Sequence, residues 1–490
     1  MNELPEGWVA TEIGRIAKIE TGSTPSTKHP EFYGGRVPFF KPGDLDQGRE
    51  LYKVENTLTE EGAAAGRLLP AGSVLVTCIG NLGKSGIVVQ PSAFNQQINA
   101  VLPSSSLMPE FTYYWARIIR GWLEANASAT TVTIINKGRF SKAPINLPPL
   151  NEQRRIVVKL DSLFERTRRA REELSHIQRL IENYKKSILE AAFSGDLTKD
   201  WRTGRGPTET AAELIARTPA LQQSRGGREA TETVIPGVAA LSVNIPDRGP
   251  PVGWSWVPLR RIARQETGHT PSRKHPEYWG GDIPWIGIRD AADHHGGIIN
   301  DTAQHPTQLG IDNSSARVLP ADTICLSRTA SVGYIVRMGR PMATSQDFVT
   351  WTCSEALDPD YLLYALLAEG DEIRRFGKGS THTTIYFPEV RALHICLAPL
   401  EEQREIVRRV KAALAWAENI RSEAERAAVL IPNLDQANLA KAFRGELVPQ
   451  DPTDEPASVL LDRIRGEQAA KPRIRRGRRG RVATAQEAMA

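Results

Sequence analysis

Cysteine is scarce: the 490 residues contain only four, Cys78, Cys325, Cys353 and Cys396, far apart and with no C-x-x-C pair. That spacing and their mostly apolar neighbours mark them as reduced strand residues. No apolar run approaches the ~18 residues a membrane span needs, so a membrane-spanning chain is not expected. The start, Met1-Asn2-Glu3-Leu4-Pro5-Glu6, has neither a basic n-region nor an apolar h-region, and a cytoplasmic location is expected.

Catalytic signatures are missing as well. Gly80-Asn81-Leu82-Gly83-Lys84-Ser85 imitates a phosphate-binding loop, but Cys78 stands where its first glycine belongs. A strand-like run, Gly86–Val89, follows where a helix should open. His294, His295 and His305 have no cysteine or carboxylate at metal-site spacing. No G-x-S-x-G elbow, no Asn-Pro-Pro-aromatic segment and no nuclease-like carboxylate–lysine cluster occurs. The expectation is a noncatalytic chain holding neither cofactor nor metal.

What is present can build several cores. Hydrophobic residues make up 40%, charged residues 24%, and the mean hydropathy is −0.35, which excludes wholesale disorder. The net charge of +5 comes from residues 471–481, with seven basic and no acidic residues; without them the chain stands at −2. Residues 1–150 carry 14 basic and 13 acidic side chains, and 250–398 carry 14 and 16. Composition alone therefore does not argue for nucleic-acid binding.

The chain is a duplication. Glu20–Gly35 (ETGSTPSTKHPEFYGG) matches Glu266–Gly281 (ETGHTPSRKHPEYWGG) at 12 of 16 positions, offset by 246. Beyond a four-residue insertion the offset is 250: Leu147–Val157 (LPPLNEQRRIV) matches Leu397–Val407 (LAPLEEQREIV) at 8 of 11 positions. Ala192-Phe193 and Gly195 recur as Ala442-Phe443 and Gly445. Two head-to-tail copies are implied.

Each copy opens with a mixed α/β globule. Short β-type runs such as Ser73–Ile79 and Gly86–Val89 are broken by Gly, Pro and Asn, and Met108–Asn126 is the clearest helix. A long helix follows, opening at Asn151 or Glu401. Its apolar or small residues step by alternating four and three, the period of a left-handed coiled coil. The first seam runs Ile156, Leu160, Leu163, Thr167, Ala170, Leu174, Ile177, Ile181, Tyr184, Ile188, Ala191; the second runs Ile406, Val410, Ala413, Ala417, Ile420, Ala424, Ala427, Ile431, Leu434. Large side chains in one and alanines in the other suit close interdigitation. Such a 40-residue helix reaches roughly 60 Å, and Pro432 should kink the second near its end. The expected layout is α+β: a domain over 1–150, a helix over 151–195, a linker over 196–250, a domain over 251–398, a helix over 399–445 and an extension with a basic tail over 446–490.

These paired TGxTPS…HPE blocks, LxPLxEQRxIV helix openings and AFxG(D/E)L helix ends resemble the specificity subunit of type I restriction-modification systems, over residues 5 to about 465. The resemblance implies two target recognition domains, each reading one half of a split, asymmetric DNA sequence. The two helices would pair antiparallel as a ruler for the unread gap. Two methyltransferase (modification) subunits carrying S-adenosylmethionine would dock for adenine methylation. Two restriction subunits, using ATP and Mg2+, would add translocation and cleavage. Two other readings stay open on the residues alone: a self-contained methyltransferase or nuclease, and a standalone DNA-binding regulator.

If the halves read different sequences, shared residues serve scaffold or phosphate, and divergent polar pairs include base readers. The divergent pairs are Ser23/His269, Thr27/Arg273, Asn81/Ser331, Lys84/Tyr334, Asn95/Ser345 and Cys78/Arg328. Arg273 and Arg328 suit guanine, and Asn81 and Asn95 suit adenine. Lys28 and Lys274 are shared cations, equally suited to phosphate or solvent. Hydroxyl-rich loops, Thr130, Thr131, Thr133 and Lys137 against Ser380, Thr381, His382 and Thr383, are further DNA candidates. Glu152, Gln153 and Arg154, with Glu402, Gln403 and Arg404, are presented twice in a helix's first turn, where acidic groups suit the dipole, and are candidates for docking a partner.

Overall fold

The computed structural model describes the chain apart from residues 1–3, 129–132, 205, 224–239, 242–248, 330, 371–372, 375–383, 392 and 471–490. The basic tail and just under half of the expected linker thus lie outside the described residues. The chain divides into two units, residues 1–174 with 426–490, and residues 175–425.

Unit one holds a five-stranded sheet in the order Ile19–Thr21, Ile98–Val101, Val74–Thr77, Ser85–Val88, Glu50–Leu51. Its neighbours are antiparallel except the last pair. Unit two repeats that order with Ala263–Thr267, Phe348–Cys353, Ile324–Ser327, Ile335–Met338 and Ile298–Ile299, again parallel only at the last pair. The central strands are rich in apolar residues and buried on both faces, as with Val74 and Val76 on one face and Leu75 on the other. Gly83, at φ 82°, turns the chain between two of them, so the phosphate-loop lookalike is a hairpin turn. The expected helix over 108–126 is two, Pro109–Ile118 and Arg120–Asn126, broken at buried Ile119, where ψ reaches 0°. Burial pushes the Cys78 and Cys396 thiols up to about 12, so both are inert; Cys396 lies in the strand His394–Leu397 and Cys78 just past the end of Val74–Thr77.

The long helices span Leu150–Ser194 and Leu400–Phe443. In unit one, Thr167 donates to Asp435 at 2.8 Å, and Asn146, upstream of the first helix, donates to the Phe443 carbonyl at 3.0 Å. In unit two, the Tyr184 ring meets Trp416 at 5.2 Å and Thr198 donates to Glu402 at 2.7 Å. Rising numbers on one helix meet falling numbers on the other, so the pairing is antiparallel within each unit. Ala170 and Leu434 depart from the expected seam: both are exposed, and Asp435 is buried in place of Leu434. The helix also runs on through Pro432, because Pro432 and the Ala428 whose carbonyl it frees both face water.

Part of the expected linker is folded. Helices form at Lys199–Gly204 and Ala211–Arg217, and Ala211 and Leu214 enter the core of unit two. The helix Ala457–Ala470 does the same in unit one through Ala457, Leu461 and Ile464. Ala211 N–H donates to the Gly253 carbonyl at 2.8 Å and Ala457 N–H to that of Gly7 at 2.9 Å. The ion pairs Arg217–Glu209 and Arg463–Glu455 are both 2.8 Å. These residue pairs are all offset by 246, so the duplication extends past each long helix, and each trailing segment seals the domain of the other copy.

Candidate nucleic-acid interface

Four segments distant in sequence meet in unit one. Gly22 lies so close to the next strand that a Cβ would stand 2.0 Å from the Asn95 carbonyl oxygen, so only glycine fits. Ser23 N–H donates to the Phe94 carbonyl at 3.0 Å, and Thr24 donates to the Gln96 amide oxygen at 2.5 Å. Cys78 N–H donates to the Gln97 carbonyl at 2.8 Å, Ile135 N–H to that of Cys78 at 2.8 Å, and Gly80 N–H to that of Thr133 at 2.9 Å. Segments 22–29, 78–84, 94–97 and 133–137 therefore form one loop cluster.

Unit two builds the same cluster. Gly268 would place a Cβ 2.1 Å from Thr344 Oγ1. Thr270 donates to the Gln346 amide oxygen at 2.5 Å. Arg328 N–H donates to the Asp347 carbonyl at 2.7 Å, and Ile385 N–H to that of Arg328 at 2.9 Å.

The structure brings most of the sequence candidates into these clusters, in differing states. Thr27, Lys28, His269 and Lys274 are exposed and Ser23 is half-buried. Arg273 is exposed but ordered: it stacks 4.6 Å from the Trp279 ring and donates to Gln304 at 2.7 Å. Arg328 is half-buried over Phe387 at 4.4 Å, and burial, partly opposed by Asp347, lowers its pKa. Asn81 accepts from Arg120 at 3.3 Å, and Lys84 is paired with Asp46 at 2.5 Å. Asn95 and Ser345 are buried and tied to Gln97 and Asp347. Tyr334 meets the His295 ring edge-on at 5.9 Å, Ser331 is half-buried, and Thr133 lends its carbonyl to Gly80. Lys137 is drawn to Glu20 at 3.4 Å. Thr130, Thr131, Ser380, Thr381, His382 and Thr383 lie outside the described residues.

The first-turn residues of the long helices mostly face inward. Glu152 accepts the Trp8 indole N–H at 3.0 Å and Gln450 at 3.1 Å; Glu402 accepts Trp254 at 2.9 Å and Arg202 at 2.7 Å. Gln153 accepts from Met108 N–H and donates to the Ser106 and Pro148 carbonyls, and Gln403 does the same with Asp358, Ala356 and Ala398. These four side chains are at most 1% exposed. They seat each domain on its helix, whereas Arg154 and Arg404 point outward. Sequence reasoning missed two cation groups beside the clusters, around Glu20 and Glu266, although the Arg-x-Leu-Pro repeat (Arg67, Arg317) marks one member of each. Among the described residues no group of three His, Cys, Asp or Glu side chains is arranged to hold a metal, and no helix is long and apolar enough to cross a membrane.

Comparison with known proteins gives a consistent outcome. The family model described as "Type I restriction modification DNA specificity domain" matches residues 5–179 and 251–426. The chain is similar to the EcoDI specificity subunit of Escherichia coli, 24% identical over 96% of this chain and 97% of that one. It also resembles the HindI specificity subunit of Haemophilus influenzae, 32% identical over 34% of this chain and 37% of that one. Among solved structures, the HsdS subunit from Thermoanaerobacter tengcongensis is 20% identical with a TM-score of 0.60, over 91% of this chain and 98% of that one. A type I restriction-modification assembly structure gives a TM-score of 0.62 at 20% identity, over 91% and 100%.

Proposed function

The chain belongs to the type I restriction-modification DNA specificity family, and from that premise we propose that each domain reads one half of a bipartite, asymmetric duplex target. The observation that carries this reading is the loop cluster built twice on one frame with different polar side chains. A common frame placed on each half-site, with Ser23, Thr27 and Asn81 exchanged for His269, Arg273 and Ser331, gives two readers of different sequence. The paired helices act as the ruler for the unread gap, since two linked readers gain affinity only at a spacing that fits the duplex.

Chemistry belongs to the partners. Two modification subunits bring S-adenosylmethionine for adenine methylation, and two restriction subunits bring ATP and Mg2+ for translocation and cleavage. Repetition of the same surface in both copies suits two copies of one partner; Arg154 and Arg404, outward at each helix start, are its contacts. Base-modification sequencing of host DNA with and without this gene tests the proposal. One asymmetric bipartite methylated motif is expected, and exchanging residues 1–150 for another domain should change one half only. Methyl transfer by the chain without a partner would overturn the division of labour.

A further inference from the structure

The domains are near neutral, yet both gather cations at the same place. In unit one, Glu20 contacts Lys18 at 2.8 Å, Arg67 at 3.3 Å and Lys137 at 3.4 Å. In unit two, Glu266 contacts Arg264 at 3.1 Å and Arg317 at 3.0 Å. Lys18 and Arg264 are equivalent in the repeat, as are Glu20 and Glu266, and Arg67 and Arg317. One carboxylate cannot neutralise two or three cations, so each group keeps a net positive charge. The carboxylate is the sheltered member, its side chain 20% exposed for Glu20 and 4% for Glu266, while the arginines stay about half exposed (47%, 49% and 48%). Arg67 also donates to the Thr21 carbonyl at 2.5 Å, directly before the Gly22 turn of the loop cluster.

A sheltered anion that fixes the inner edge of a guanidinium leaves its outer nitrogens ordered and charged, which suits a phosphate oxygen. Charge kept in both copies while the neighbouring polar residues diverge is what backbone contact demands, because phosphates carry no sequence. We propose that Lys18–Glu20–Arg67 and Arg264–Glu266–Arg317 are twin phosphate grips that position each domain on the duplex. The inference rests on the reading that each domain lies on DNA.

The test uses the full chain assembled with its modification subunits and a fluorescent 40-base-pair duplex of random sequence, titrated across salt concentrations. Arg67→Ala/Arg317→Ala should bind roughly tenfold more weakly, with a slope of log affinity against log salt shallower by about two, near 0.9 per lost phosphate contact. Arg67→Lys/Arg317→Lys should retain the wild-type slope. An unchanged slope in the alanine variant, with the host motif still methylated by the wild type, overturns the grips alone. Lysine variants that fail like alanine while melting early also overturn them, since the arginines would then serve only the fold. A wild-type chain that directs no bipartite methylation overturns the underlying reading as well.

Discussion

Trp254 donates its indole N–H to Glu402 at 2.9 Å across 148 residues of sequence, and Arg202 meets the same carboxylate at 2.7 Å. The equivalent pair in unit one, Trp8 and Glu152, has neutral Gln450 in place of the arginine. Glu402→Gln strands a guanidinium that is 16% exposed, and breaking such a pair costs about 3 kcal/mol. Glu152→Gln strands no charge and should cost about 1 kcal/mol or less. Urea denaturation of the two variants checks the difference, and equal losses would contradict the asymmetry.

The same contrast sets a pH dependence. Burial raises the Glu152 pKa, with the Trp8 and Gln450 hydrogen bonds opposing it. The folded chain thus holds this proton more tightly than the unfolded one, so protonation favours the fold. As pH falls through the raised value toward the ordinary carboxylate range, the wild type should gain stability relative to Glu152→Gln. Above the raised value their difference should be constant. Melting temperatures of both proteins from pH 8 to pH 4.5 check the sign.

Asp161 and Lys411 occupy equivalent positions on the two helices with opposite charge. Asp161 accepts Arg49 at 2.6 Å and also the Tyr114 hydroxyl, whereas Lys411 donates to Asp360 at 2.5 Å, and Arg337 braces Asp360 at 2.8 Å. Each helix is thereby matched to its own domain, and a second-domain sequence grafted onto the first helix sets Asp360 against Asp161. A chain with residues 251–398 in both positions should melt lower than the same chain carrying Asp161→Lys, by about 1 kcal/mol in stability. Identical melting of the two chimeras would sink the matching argument.

Much of this architecture was legible because repetition is robust to composition. The matching ETG…HPE blocks gave equivalent loops, and the 4-3 stepping gave the helices and most of their seam. Inward-facing polar residues were not legible. Glu152, Gln153, Glu402 and Gln403 read as first-turn candidates for docking a partner because their contacts within the chain, Trp8, Met108, Trp254 and Asp358, are distant in sequence. The segment after the first long helix read as linker because TETAAELIAR (208–217) and DEPASVLLDR (454–463) share only Glu, Ala, Leu and Arg. Those four are the two ion-pair partners and two of the buried anchors, so fold constrains little else there.

Leu434 was expected in the seam on hydrophobicity, yet it is 52% exposed while Asp435 is 5% exposed. Asp435 accepts Thr167 at 2.8 Å and Arg171 at 2.5 Å, so the seam closes around a polar triad in unit one. The equivalents of Thr167 and Asp435 in the repeat are Ala417 and Lys185, which cannot form that triad. A single polar contact inside an otherwise apolar seam fixes helix register at some cost in stability. Asp435→Leu should therefore change the melting temperature little, because Arg171, 48% exposed, can turn to water and Thr167 keeps its bond to the Phe164 carbonyl. Register should loosen at the same time, since sliding the helices no longer buries an unpaired carboxylate. If the helix pair sets the unread gap, host DNA methylated under Asp435→Leu should show the same two half-sites at more than one separation. Modification sequencing reads this directly, and a single unchanged separation would assign the register to the apolar steps alone.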